Sequence, residues 1–288
     1  MRFLTEPWAW WIEPFAASPA MRNALWAVLL TAACTSLVGT WVVLRGMSFL
    51  GDALAHGVLP GVAIAFVLGG NTTLGALAAA LAMVAGVNVV RSASPLPDDA
   101  SIGILFVGFL ALAVVIMSRE SASYTGDLNR FLFGSITGVG TGDLVRQSVT
   151  TLVTVAGVVV LHRALVASTF DEAQAALLGL RPRLTNVALL ALLALAIVGS
   201  FATVGNLLVF AFLVAPPATA TLLVGRVPAI MGAAVAIGAA AGVVGLLVSY
   251  HHATAAGATM ALTTVVVFFA VIVARTLAGR RRVAVVNR

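Results

Sequence analysis

Between residues 23 and 277 the chain is a succession of apolar runs, each about 20 residues long and separated by short polar punctuation. Coiled as an α-helix, a run of that length crosses a hydrocarbon core of ~30 Å. In lipid the backbone N–H and C=O groups must find partners within the protein, and a helix supplies them within the segment itself. Nine spans are expected, at about 23–44, 47–69, 72–90, 100–118, 143–166, 184–203, 205–224, 228–249 and 255–277, with eight or ten as the neighbouring counts. A water-soluble domain is a poor alternative, because 61% of the residues are hydrophobic and only 9% charged, against ~25% charged in ordinary soluble domains. The expected fold is therefore an all-α, multi-pass protein of the cell membrane. Residues 1–22 would form an N-terminal interfacial amphipathic segment, 23–277 the transmembrane domain and 278–288 a basic cytoplasmic tail.

Arginine placement sets the orientation. Arg45, Arg91, Arg163, Arg181, Arg183, Arg226, Arg275 and the cluster Arg280, Arg281, Arg282 and Arg288 fall on one side of the alternation, whereas Arg119, Arg130 and Arg146 fall between spans on the other. Positive charge concentrates on the cytoplasmic side, so the N-terminus is expected outside, with the tryptophan-rich stretch PWAWWIEPF (7–15) lying in the interface. The external connection 119–143 is expected to be partly ordered, with a short re-entrant piece around Phe131 to Phe133. The cytoplasmic stretch 168–182 predicts a short helix, with Ser168 or Thr169 near its N-cap, Asp171 and Glu172 in its first turn, Gly179 at its end and Pro182 beyond.

Several function classes close early. The arginines are scattered and form no stripe that would track phosphates, so nucleic acid is not a partner. The lone Cys34 makes no disulfide or thiolate cluster. A lipoprotein reading of TAAC (31–34) yields to a helix, because the apolar run continues past it. There is no lysine and hence no P-loop, and no GxSxG, HExxH or CxxC motif. Any energy source must be a partner or an ion gradient.

Asp52 is the carboxylate well inside a span, and His56 is the histidine in the middle of one. Ionisable side chains at membrane depth cost at least ~2.5 kcal/mol on insertion scales and face a cavity or a partner. Four residues apart, the two share one helix face. With Arg45 at the cytoplasmic boundary, a rise of ~1.5 Å per residue puts them about 10 and 16 Å deep. Carboxylate oxygen with imidazole nitrogen suits zinc, manganese or ferrous iron; a purely structural hydrogen-bonded pair and a proton relay are the competing roles. An intramembrane enzyme lacks an obvious second catalytic group.

Pro60 removes the donor that the His56 carbonyl needs, so the helix is expected to kink there, with Gly57 and Gly61 admitting a neighbouring helix closely. Pro216 and Pro217 predict a second break, at the carbonyls of Phe212 and Leu213, unless Thr219 and Thr221 seal a tolerated kink. His251 and His252 lie at an external span end, where a solvated pair is weighed against external metal capture.

The stretch LRGMSFLGDALAHGVLPGVAIAF (44–66) resembles the signature of the zinc/manganese/iron branch of ABC importer permeases, a Gly-Asp-Ala-x-x-His-x-x-x-Pro-Gly pattern on the second span. Further blocks agree in order: SIGILF (101–106), DLNRFLFGSI (127–136), FDEAQAALLGL (170–180) and VGNLLVFAFLVAPPATATLL (204–223). The resemblance covers residues 20–277 and implies a permease rather than an enzyme, with metal handled by Asp52 and His56 and a coupling helix at Asp171, Glu172, Ala173 and Gly179. It implies a homodimer, two ATPase subunits hydrolysing ATP on the cytoplasmic side, and an extracytoplasmic metal-binding protein. No permanently bound cofactor is expected. The cargo is zinc or manganese, zinc placed first, with iron as a third option. The SYHH segment departs from a pattern that often has an acidic residue there. The alternative is a proton- or sodium-coupled secondary carrier.

The orientation has a direct test. A cysteine introduced as Arg282→Cys should be shielded from impermeant thiol reagents in whole cells, and one introduced as Gly126→Cys should be labelled, as the arginine bias requires. The reverse pattern overturns the topology.

Overall fold

The computed structural model describes residues 7–94, 97–118 and 136–286. Two short helices, α1 (Pro7–Trp11) and α2 (Glu13–Ala17), lead into α3 (Pro19–Leu44). There follow α4 (Ser48–Gly57), α5 (Leu59–Val67), α6 (Thr72–Ala93) and α7 (Asp98–Met117). After a 3₁₀ turn (Ile136–Gly138) come α8 (Thr141–Phe170), α9 (Glu172–Leu177), α10 (Pro182–Val204), α11 (Asn206–Leu223), α12 (Val227–His252) and α13 (Ala256–Val286). Among the described residues nine helical segments are long and apolar enough to span, α4 and α5 together forming the second. They match the expected spans to within a few residues. The last helix runs on past residue 277 to Val286. Residues 119–135, with Phe131 to Phe133 and most of the 127–136 block, lie outside the described residues.

Local chemistry sets the helix starts. Ser18 caps α3, its Oγ accepting from the Met21 N–H, with Pro19 in the first turn where a missing N–H does no harm. Asn71 caps α6 by accepting from the N–H groups of Thr73 and Leu74 at 2.9 and 3.2 Å. The first span is the hub: α3 packs against α8, α10, α11 and α12, and its Val28, Cys34, Val38 and Trp41 are wholly buried. Its mate, the α4–α5 span, is equally enclosed and packs on α6, α7, α10 and α11. Gly61 on α5 and Gly75 on α6 face each other so closely that a Cβ on either would lie about 2 Å from the other's carbonyl oxygen. This is the close approach that small residues provide between membrane helices.

The proline sites differ in outcome. At Pro60 the second span does break: α4 stops at Gly57, the Val58 N–H returns to the Leu54 carbonyl at 3.2 Å, and α5 begins at Leu59. At Pro216 and Pro217 the expected break does not occur, and α11 continues through both. The carbonyl freed by Pro216, that of Phe212, accepts from Ser36 Oγ on α3 at 3.1 Å. The carbonyl freed by Pro217, that of Leu213, presses on Gly39 of α3, where a Cβ would come within 2.0 Å of its oxygen. Thr219 and Thr221 return their hydroxyls to the carbonyls of Ala215 and Ala218 at 2.7 and 2.8 Å. The repair comes from the neighbouring helix more than from the local threonines.

Ser36→Ala should therefore strand the Phe212 carbonyl in a dry interface. The expected loss is about 0.5–1.5 kcal/mol, the range of interhelical hydrogen bonds in membranes, read as a lower melting temperature in detergent. Ser36→Thr should retain most of the stability. An unchanged melting temperature for Ser36→Ala contradicts this account of why α11 stays whole.

Candidate metal site and coupling helix

Because α4 is helical, Phe49, Asp52 and His56 stand on one face, while Leu50, Ala53, Leu54 and Gly57 turn into the core. The polar face is not covered by its own chain: the side chains of His56 and Asp52 are 28% and 33% exposed. Hydrocarbon does not solvate a carboxylate, so that opening belongs to a water-filled path or to a neighbouring subunit. Phe106 of α7 stands edge-on to the imidazole, ring centroids 5.8 Å apart, and Phe49 packs edge-on to Phe106 at 5.9 Å. One side of the pair is thus an aromatic wall.

His56 Nε2 lies 3.7 Å from Asp52 Oδ1. That is too long for a hydrogen bond, which closes at ~2.7–3.2 Å. It is close to the upper end of the separation of two ligands on one ion, because atoms each ~2.0–2.2 Å from a metal and 90–110° apart sit roughly 2.8–3.6 Å from one another. The break after α4 adds a second feature, since it leaves the carbonyl end of a half-helix beside His56.

The structure brings a third polar residue to the pair. Asn206 opens α11, one residue past Gly205, whose φ of +83° turns the chain sharply out of α10. The Asn206 side-chain nitrogen is 3.5 Å from His56 Nε2. Asn206 is 6% exposed, and its side-chain oxygen is buried without a partner among the described residues. In the sequence, Asn206 is marked by no more than an amide at the start of an otherwise apolar span. Among the described residues no group of three or more His, Cys, Asp or Glu converges anywhere.

The predicted short helix exists as α9, with a different cap. Asp171, not Ser168 or Thr169, is the N-cap, its Oδ1 accepting from the Gln174 N–H at 2.8 Å. Ser168 and Thr169 belong to the last turn of α8, because the helix continues to Phe170. They accept from Arg45 Nη2 and Nε at 2.8 and 3.0 Å, and Arg45 Nη1 donates to Asn186 of α10 at 3.0 Å. Arg45, read from the sequence as a membrane boundary, thereby ties the end of the first span to the helices on either side of α9. At the other end of α9, the Gly179 N–H meets the Ala176 carbonyl and the Leu180 N–H the Ala175 carbonyl, both at 3.0 Å, with Gly179 at φ +75°. This is a Schellman ending that wants glycine. Glu172 and Ala173 are exposed and, with Ala176, Arg181, Pro182 and Arg183, line a cleft of about 580 Å³. Phe170 and Leu177 beside it are 67% and 88% exposed.

His251 and His252 end α12 and are exposed. His251 Nε2 is 3.2 Å from the Trp10 carbonyl oxygen, and its ring lies 3.9 Å from that of Trp10. It holds the N-terminal segment against the end of α12. Trp8, Trp11 and Ile12 stay exposed around it.

Residues 17–275 match the model of the ABC 3 transport family. The chain belongs to that family. This member is 34% identical over 238 residues to the manganese transport system membrane protein MntC of Listeria innocua, covering 83% of this chain and 84% of that one. It is 31% identical over 249 residues to a Haemophilus influenzae protein named "Probable iron transport system membrane protein", covering 86% and 91%. Among solved structures it resembles a chain of PsaBC from Streptococcus pneumoniae in complex with Fab, with a TM-score of 0.81, 30% identity, and 91% and 94% of the two chains covered. The family and the nine apolar helices make it a multi-pass transport subunit of the cell membrane.

Gly179→Val should strain the α9 ending, since a left-handed φ costs an L side chain ~1–2 kcal/mol. Amide exchange across residues 172–180 should accelerate roughly tenfold, with α8 and α10 unchanged. Unaltered exchange contradicts the assigned cap.

Proposed function

We propose that this chain is the membrane-spanning permease of an ATP-driven importer that carries a divalent transition metal past Asp52 and His56. The observation that carries the reading is the pair itself: carboxylate and imidazole on one helix face, 3.7 Å apart, beside a helix break and open on one side. Manganese is placed ahead of zinc, reversing the order expected from the residues alone. The Listeria relative is named for manganese and the Haemophilus relative for iron, and a pair of one carboxylate and one imidazole accepts either as readily as zinc.

In this reading the permease works as two copies, the uncovered face of α4 looking onto the path between them. Two ATPase subunits grip α9, with Glu172 and Ala173 at the cleft and the exposed Phe170 and Leu177 as apolar contacts. Arg45 gives their motion a route to the metal span, because it stands between the end of α3 and the start of α4 while holding α8 and α10. An extracytoplasmic binding protein delivers the ion. His252 is the freer of the two external histidines for first capture, because His251 engages Trp10. A proton- or sodium-coupled carrier predicts transport without the ATPase.

Asp52→Asn and His56→Leu should each abolish metal uptake into proteoliposomes containing the ATPase partner while leaving the melting temperature nearly unchanged, because each removes charge or polarity from a helix in lipid. A structural pair behaves otherwise. Losing one member strands the other at a cost of ~1–3 kcal/mol, and the double variant then regains stability. Near-normal uptake by either single variant removes that residue from the site.

A further inference from the structure

We propose that Asn206 is a third protein ligand of the transported ion, its side-chain oxygen joining Asp52 Oδ1 and His56 Nε2 in a set that favours manganese over zinc. The inference rests on the reading of Asp52 and His56 as the metal pair and extends it to a second helix, α11.

Three observations converge on Asn206. The residue is 6% exposed and its buried side-chain oxygen has no partner among the described residues, although a buried amide oxygen normally finds a donor. Its other terminal atom is 3.5 Å from His56 Nε2, again long for a hydrogen bond and again within reach of the ligand–ligand separations around an ion. The two ends of an amide exchange by a flip that the hydrogen-bond pattern must decide, and here turning the oxygen toward His56 removes an orphaned acceptor once a cation lies between them. The backbone fixes this placement. Gly205, at φ +83°, ends α10 and starts α11 within a single residue, so the first residue of α11 is delivered to the face of α4 that carries His56.

The chemistry of the set gives it a preference. Zinc is satisfied by four ligands, commonly nitrogen and sulfur, in a tetrahedron. Manganese takes carboxylate, carbonyl and water oxygens in an octahedron. Adding an amide oxygen to one carboxylate and one imidazole makes the set two-thirds oxygen, with water from the open side of the pair to complete it.

The test uses the full permease with its ATPase subunit in proteoliposomes, with manganese and zinc uptake measured separately and in competition. Thermal shift on adding manganese or zinc alone serves as a binding readout independent of transport. Asn206→Ala should weaken manganese binding and uptake by at least roughly tenfold, the low end of what even an outer-shell partner contributes to a metal site, and should weaken zinc less. Asn206→Asp, nearly isosteric and able only to accept, should keep manganese binding. It also keeps the proposal testable if the alanine variant folds poorly. If Asn206→Asp is as damaging as Asn206→Ala in a folded protein, Asn206 serves as a hydrogen-bond donor to His56 and the ligand assignment is overturned. If both Asn206 variants bind manganese normally while Asp52→Asn and His56→Leu do not, the pair stands and Asn206 is no ligand. If all four variants bind normally, the metal site lies elsewhere and the underlying reading falls with the inference.

Discussion

A backbone carbonyl that loses its helical donor inside lipid must be given another partner or an aqueous surface, because the solvent supplies neither hydrogen bonds nor charge screening. This chain meets that constraint at two proline sites and resolves it in opposite ways. At Pro216 and Pro217 the neighbouring helix closes in, Ser36 donating to the Phe212 carbonyl and Gly39 letting the Leu213 carbonyl approach, and α11 stays whole. At Pro60 the helix ends, and the end lies beside Asp52 and His56. The repaired site belongs to the packed hub around α3. The unrepaired one belongs to the only helix face that carries both a carboxylate and an imidazole among the described spans.

Function follows from that asymmetry. A carboxylate, an imidazole and an enclosed amide converge between α4, α7 and the α10–α11 corner, with an aromatic wall from Phe106 on one side. Their spacings of 3.5 and 3.7 Å are poor for hydrogen bonding and suited to a shared cation. A short distance along the chain from the pair, Arg45 links the base of the same region to the two helices that hold α9. In the proposed reading, Arg45 is the side chain that connects the region of the Asp52–His56 pair with the helices flanking α9.

Much of this was legible in the residues because membrane spans are specified by run length and apolarity, which are local properties. Asp52 and His56 were visible for the same reason, as ionisable groups where lipid forbids them, and the Pro60 break followed from a missing N–H. What sequence could not supply was anything decided between helices. The fate of Pro216 and Pro217 depended on Ser36 and Gly39, almost 180 residues away, and the cap of α9 fell to Asp171 because α8 runs on to Phe170, its last turn held by Arg45. Asn206 is not marked in the sequence because its significance lies in a neighbour 150 residues earlier.

The claim on which the rest depends is that the ion binds at His56. Pulsed electron paramagnetic resonance of manganese bound to the permease–ATPase complex reports nitrogen directly coordinated to the metal. The account predicts coupling to a single imidazole nitrogen that disappears in His56→Leu and persists in His251→Leu. Manganese bound with no nitrogen coupling, or coupling that survives His56→Leu, contradicts it.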